Sequence, residues 1–114
     1  MKRLEEISLT KVQRQALADL ANRLHSRFDV AQLILFGSVA RNETNEESDI
    51  DLLILTSHPL DRIKRHEITD LVCEINLEYD TNFSALVVDQ KNWENGPVSV
   101  LPLRQAVREE GIPV

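Results

Sequence analysis

Gly37-Ser38-Val39-Ala40-Arg41 and Ser48-Asp49-Ile50-Asp51-Leu52-Leu53-Ile54-Leu55 are the two segments that decide the fold of this chain. The second segment reads as an almost wholly apolar strand that opens with two acidic residues. A strand directs residues i and i+2 to the same face, so Asp49 and Asp51 present their carboxylates side by side. Like charges at that spacing repel each other, and burial makes unpaired charges costly. The pair therefore favours a bound Mg2+, which prefers carboxylate oxygens and substrate phosphates.

The first segment has the features of a phosphate-binding turn. Gly37 has no Cβ and lets a phosphate approach the backbone, Ser38 adds a hydroxyl, and the turn that follows exposes N–H groups that attract anions. Arg41, one turn further on, is placed to reach a phosphate or the acidic loop. Either segment alone is most simply a plain turn or a solvated strand end. Together, in this order and at this spacing, they predict metal-assisted transfer of a nucleotide from a nucleoside triphosphate.

Length and composition fit one domain spanning residues 1–114. Apolar residues make up 42% of the chain and charged residues 28%, as in an ordinary globular protein. No apolar run reaches the length of a membrane span, and the N-terminus lacks a signal-peptide core, so we expect a cytoplasmic protein without a membrane partner. The formal net charge of −6 makes stable DNA binding unexpected and favours a small phosphorylated substrate.

Apolar spacing predicts an α/β fold in the order helix, strand, strand, helix, strand, helix. The predicted elements are a helix ending near residue 28, strands over 31–36 and 50–55, a helix over 60–79, a strand over 83–88 and a helix over 102–111. Ser8 or Thr10 is placed to cap the first helix, and Pro102 and Gly111 bound the last one.

The segments between these elements set the topology. Residues 38–41 are expected to form a helical turn, residues 42–48 a polar loop, and the stretch after the third strand a polar segment through Pro97. Only the loop joins the first two strands, so they are expected to be antiparallel. A helical crossover joins the second and third strands, which are therefore expected to be parallel. The strand over 50–55 is apolar enough to be central and covered on both faces.

Gly37-Ser38-x-x-Arg41 and Ser48-Asp49-Ile50-Asp51-Leu52 resemble the signature of the nucleotidyltransferase superfamily that includes DNA polymerase beta. The chain is most similar to the smallest members, the minimal nucleotidyltransferases, which often form the antitoxin half of toxin–antitoxin pairs. This resemblance covers most of the chain, including the order of its helices and its length. It implies a nucleotidyltransferase fold like the polymerase beta palm, with a small mixed β-sheet flanked by helices.

The same resemblance implies roles for the site residues. Asp49 and Asp51 would be the catalytic residues that ligate Mg2+, and Gly37 and Ser38 would hold the triphosphate of ATP or another nucleoside triphosphate, with Arg41 in reach. A hydroxyl of the acceptor would attack the α-phosphorus in line, and pyrophosphate would leave. The implied acceptor is a HEPN-domain toxin that receives AMP on a tyrosine, which would make this chain its antitoxin. The oligomeric state is left undecided between a homo-oligomer and a hetero-oligomer.

One position departs from the family pattern. Active members usually carry a third carboxylate early on the next strand, where this chain has Ser84. Asp80, just before that strand, is the better substitute, because Asp89 lies roughly 17 Å along it. The departure keeps a second function open, in which a weakened or inactive site leaves the chain to neutralise its partner by binding. Transfer to a small molecule such as an aminoglycoside ranks last, since those enzymes carry an added helical domain.

Overall fold

The computed structural model describes residues 3–41 and 49–114. In chain order its helices and strands are α1 (Lys11–Arg27), β1 (Val30–Phe36), β2 (Ile50–Thr56), α2 (Arg62–Tyr79), β3 (Phe83–Asp89), α3 (Gln90–Asn95), α4 (Pro102–Glu110) and β4 (Ile112–Pro113). Short 3-10 helices cover Leu4–Glu6, Gly37–Val39 and Pro97–Val100. The polar loop expected at 42–48, which includes Ser48 of the quoted segment, lies outside the described residues.

The strands form one mixed sheet in the order β3-β2-β1-β4. β1 runs antiparallel to both β2 and β4, and β2 runs parallel to β3. Both predicted orientations are therefore confirmed. β2 is an inner strand, and every one of its residues after Asp51 is buried, as its apolar sequence predicts.

Side chains of β2 alternate between two hydrophobic cores on opposite faces of the sheet. Leu52 and Ile54 lie in the larger core, which α1 and α2 cover. Leu53 and Leu55 lie in a smaller core with residues of α3 and α4. Asp51 has the same parity as Leu53 and Leu55, so its side chain belongs to the α3–α4 face.

Helix ends agree with the signals in the sequence. Of the two candidate caps for α1, Thr10 is the one used: its hydroxyl accepts from the Gln13 N–H at 3.0 Å. The Gln13 side chain in turn accepts from the Thr10 N–H at 2.9 Å, which completes a capping box. α4 begins at Pro102 and ends before Gly111, as predicted.

The connection from α2 to β3 is organised by Asn76. Its side-chain amide donates to the Phe83 carbonyl at 3.0 Å, and its Oδ1 accepts from the Phe83 N–H at 2.8 Å. The same oxygen accepts from the Thr81 hydroxyl at 3.0 Å. Further along β3, Arg65 of α2 donates to the Val87 carbonyl at 2.9 Å. Two side chains of α2 thus hold β3 at both of its ends.

The structure departs from the sequence expectations after β3. The stretch expected to be a polar segment contains α3 and the 3-10 helix Pro97–Val100. Asp89 supplies the start signal for α3, because its carboxylate accepts from the Asn92 N–H at 2.9 Å. β4 was also missed, since two residues are too few to show a period. Among the described helices, none has both the length and the apolar character needed to cross a membrane.

Candidate functional site

The 3-10 helix Gly37–Val39 follows β1 directly and lies at the start of β2. Phe36, the last residue of β1, pairs with Asp51 in the antiparallel register. The chain then turns at Gly37 with a φ of 75°, a conformation that glycine adopts without strain. The glycine-serine turn and the acidic start of β2 are therefore neighbours in space, as the sequence predicts.

Gly37 and Asp51 are in close contact. A Cβ built on Gly37 would overlap Oδ2 of Asp51 and would lie 3.3 Å from its Cγ. The backbone conformation favours glycine at this position, and a side chain here would also have to displace the Asp51 carboxylate. The space that a side chain would fill is taken by an acidic group.

The two carboxylates influence each other. Asp49 is exposed and Asp51 is half-buried. Burial raises the pKa of Asp51 above its ordinary value, the Asp49 charge raises that pKa further, and the Arg41 charge opposes the rise. A divalent cation would remove both the desolvation cost and the repulsion. This donor set of two neighbouring carboxylates therefore fits Mg2+.

Arg41 has a protein partner on α4. Its guanidinium Nη1 lies 2.9 Å from Glu110 Oε2, and both side chains are partly exposed. This ion pair joins the end of the glycine-serine turn to the last turn of α4, a link that the sequence analysis missed. The two residues lie 69 positions apart, and no local pattern marks them as partners.

A third carboxylate does not join the pair within the described part of the chain. The parallel register of β2 and β3 sets Ser84 directly opposite Asp51, so the residue identified from the sequence does occupy that position. Asp80 ends α2 in a left-handed conformation with a φ of 54°. The described residues contain no group of three acidic, histidine or cysteine side chains able to hold a metal ion, so Asp80 does not complete the site there.

Comparisons with known sequences agree with this geometry. A family model described as a nucleotidyltransferase domain matches residues 17–108. A protein of Methanocaldococcus jannaschii named as a protein adenylyltransferase is 39% identical over 66 residues, which cover 56% of this chain and 45% of the relative. A second protein of that name from the same organism is 32% identical over 87 residues, which cover 69% of this chain and 82% of the relative. The match to the first relative thus spans less than half of its length.

Solved structures share the fold at low sequence identity. A minimal nucleotidyltransferase superposes with a TM-score of 0.61 at 21% identity, covering 94% of this chain and 99% of that one. A toxin–antitoxin complex with AMP-PNP gives a TM-score of 0.58 at 23% identity, covering 87% of this chain and 69% of that one. A complex of a tri-AMPylated HEPN toxin from Shewanella oneidensis with an MNT antitoxin gives a TM-score of 0.55 at 21% identity. The match covers 88% of this chain and 69% of that one. These likenesses establish that the mixed sheet and its helices form the same fold.

Proposed function

This chain belongs to the nucleotidyltransferase domain family, and we propose that it transfers AMP from ATP to a hydroxyl of a partner protein in the cytoplasm. One observation carries the proposal: the Asp51 carboxylate packs against Gly37, and burial and the Asp49 charge raise its pKa. A fold avoids such a cost unless function requires it. A phosphate-bound cation would relieve it.

The proposed roles follow from position. Asp49 and Asp51 hold Mg2+, which supplies positive charge to the reacting phosphate when it is bound. Gly37 and Ser38 bind the triphosphate where the chain turns away from β1. Arg41, which pairs with Glu110 in the structure, would bind the triphosphate at the end of this turn. Transfer would form a phosphodiester bond from the acceptor oxygen to the α-phosphorus and release pyrophosphate.

The names of the relatives support a protein acceptor. Two homologues are named protein adenylyltransferases, and one neighbour of the same fold was solved with an AMPylated HEPN toxin. A domain of this size has little surface left for recognising a small acceptor, so the hydroxyl would belong to a docked protein. We therefore propose a HEPN-domain toxin as the partner and an antitoxin role for this chain.

The experiment incubates this chain with ATP, Mg2+ and a HEPN-domain protein, and records intact masses. The expected result is the mass of one or more AMP groups on the partner. D49N/D51N should give no adduct, while the matched double variant D61N/D89N should react normally, since asparagine caps α2 and α3 as well as aspartate does. Unmodified partner in a reaction of folded components would refute the proposal.

A second function is favoured by Ser84, which lies opposite Asp51 where active relatives are expected to carry a carboxylate. In this alternative the chain neutralises its partner by binding alone. Its test is a ribonuclease assay of the partner with the D49N/D51N variant. Unchanged neutralisation by a folded double variant supports binding alone, and loss of neutralisation supports nucleotide transfer.

A further inference from the structure

A pocket of about 700 Å3 lies on α4, outside the acidic pair. It is formed where the 3-10 helix Pro97–Val100 bends into α4, and its charged lining residues are Arg104, Arg108 and Glu109. None of Gly37, Asp49 or Asp51 lines it. The proposed transfer of AMP therefore leaves this pocket without a role.

Arg104 carries a donor that the protein itself does not satisfy. Its Nε is fully buried and has no hydrogen-bond partner among the residues that the structure describes. A buried donor without an acceptor costs free energy of about 1–3 kcal/mol, and more when the group is charged. Arg108 follows one turn later on the same side of α4. Within residues 3–41 and 49–114 its guanidinium likewise forms neither an ion pair nor a hydrogen bond.

The charge of this pocket is opposite in sign to that of the chain. Two arginines face one glutamate in the lining, whereas the whole chain has a formal net charge of −6. The Glu109 carboxylate accepts from the side chain of Gln105, another lining residue, at 3.1 Å. Three other surface pockets have linings that are balanced or acidic. Among these four pockets, this one has a lining with net positive charge.

The start of α4 borders the same pocket. α1, α2 and α3 are capped by the side chains of Thr10, Asp61 and Asp89. α4 begins after Leu101 without a side-chain cap, and Leu101 and Pro102 line the pocket. The positive end of the helix dipole therefore adds to the charge of Arg104, which lies in the first turn of α4.

We propose that this pocket binds a small phosphate-bearing anion through Arg104 and Arg108. Guanidinium groups bind phosphate oxygens in a bidentate manner, and two of them match the double negative charge of a phosphate better than the single charge of a carboxylate. The volume lies within the range of small-molecule sites. The site is independent of the proposed transfer reaction, because it uses neither the acidic pair nor the glycine-serine turn.

The test is an NMR titration of the full chain with inorganic pyrophosphate, without divalent cations and at constant ionic strength. Saturable shifts are expected for the amides from Ser99 to Arg108, and they should persist in D49N/D51N. R104Q/R108Q should weaken binding at least tenfold. The matched variant R27Q/R62Q removes the same charge from exposed positions outside this pocket and should bind like the wild type.

Three results would overturn the proposal. Shifts confined to the region of Gly37 would assign the anion to the glycine-serine turn. Equal loss of binding in R104Q/R108Q and R27Q/R62Q would show that pyrophosphate is attracted by the charge of the chain in general and not by this pocket. Equal binding of succinate at the same ionic strength would remove the preference for phosphate over carboxylate.

Discussion

Ser84 lies directly beside Asp51, at the same level of the parallel pairing between β3 and β2. Both side chains belong to the face of the sheet that α3 and α4 cover, and Ser84 is exposed at the edge of that face. A carboxylate at position 84 would therefore lie on the same face of the sheet as Asp51, on the adjacent strand.

S84D should convert the two-carboxylate site into a three-carboxylate site. Mg2+ affinity should rise roughly tenfold, because affinity for hard cations increases with the number of charged ligands. Without metal, S84D should be less stable than the wild type at neutral pH, since a third negative charge adds repulsion. Calorimetric titration with MgCl2 measures the affinity. S84N is the isosteric control, and equal affinities for S84D and S84N would contradict the prediction.

Mg2+ should stabilise the wild-type chain against unfolding. The ion neutralises Asp49 and Asp51 only when folding holds them together, and at ten times its Kd a ligand of the native state adds about 1.4 kcal/mol. D49N/D51N should show no such gain. Thermal unfolding with MgCl2, compared with NaCl at equal ionic strength, checks this difference. An equal rise in Tm for the wild type and D49N/D51N would show that Mg2+ stabilises the chain at a site other than Asp49 and Asp51.

G37A should lower the free energy of unfolding by about 1–3 kcal/mol. The new Cβ would overlap the Asp51 carboxylate, and alanine disfavours a φ of 75°. Urea unfolding measures the change. S38A, at the next position with an ordinary backbone conformation, should stay within about 0.5 kcal/mol of the wild type. Similar losses for both variants would count against a specific requirement for glycine.

N76A should lower the free energy of unfolding by about 2–3 kcal/mol, because it leaves the backbone groups of Phe83 without partners. N76D should lose less, since it keeps the acceptor for the Phe83 N–H and loses only the donor. N22A, at an exposed position of α1, is the control and should cost nothing. An N76D loss equal to that of N76A would show that the acceptor contributes little.

Y79F should destabilise the chain more at pH 7 than at pH 3. The Tyr79 hydroxyl donates to Asp19 at 2.7 Å, and this bond, with Arg23, holds the pKa of Asp19 below its ordinary value. A carboxyl whose pKa is lowered by folding stabilises the native state above its unfolded pKa, and that stability disappears as pH falls through the folded pKa. Urea unfolding at the two pH values, repeated in a D19N background, isolates the bond. If Y79F lost the same stability at both pH values, the bond from Tyr79 would not depend on the charge of Asp19, and the prediction would be wrong.

The order of the main elements and the position of the acidic pair could be predicted from the sequence because both are local patterns. The apolar run of β2 marks an inner strand, and the i, i+2 spacing of Asp49 and Asp51 gives one shared face. Assignment of these residues to metal binding and catalysis stays a prediction.

The parts that were missed depend on long-range contacts or very short elements. The pairing of Arg41 with Glu110 joins residues that no periodic pattern connects. α3 has only six residues, and its start signal at Asp89 resembles an ordinary strand end until the structure reveals the cap. Ile112–Pro113 forms a strand only because β1 lies beside it.

β3 forms one border of the sheet, and backbone groups near both of its ends are already engaged by side chains of α2. Asn76 bonds both the N–H and the carbonyl of Phe83, and Arg65 bonds the carbonyl of Val87. A strand from another molecule would have to displace these side chains before it could pair there. These contacts therefore hinder the addition of a foreign strand at this border of the sheet.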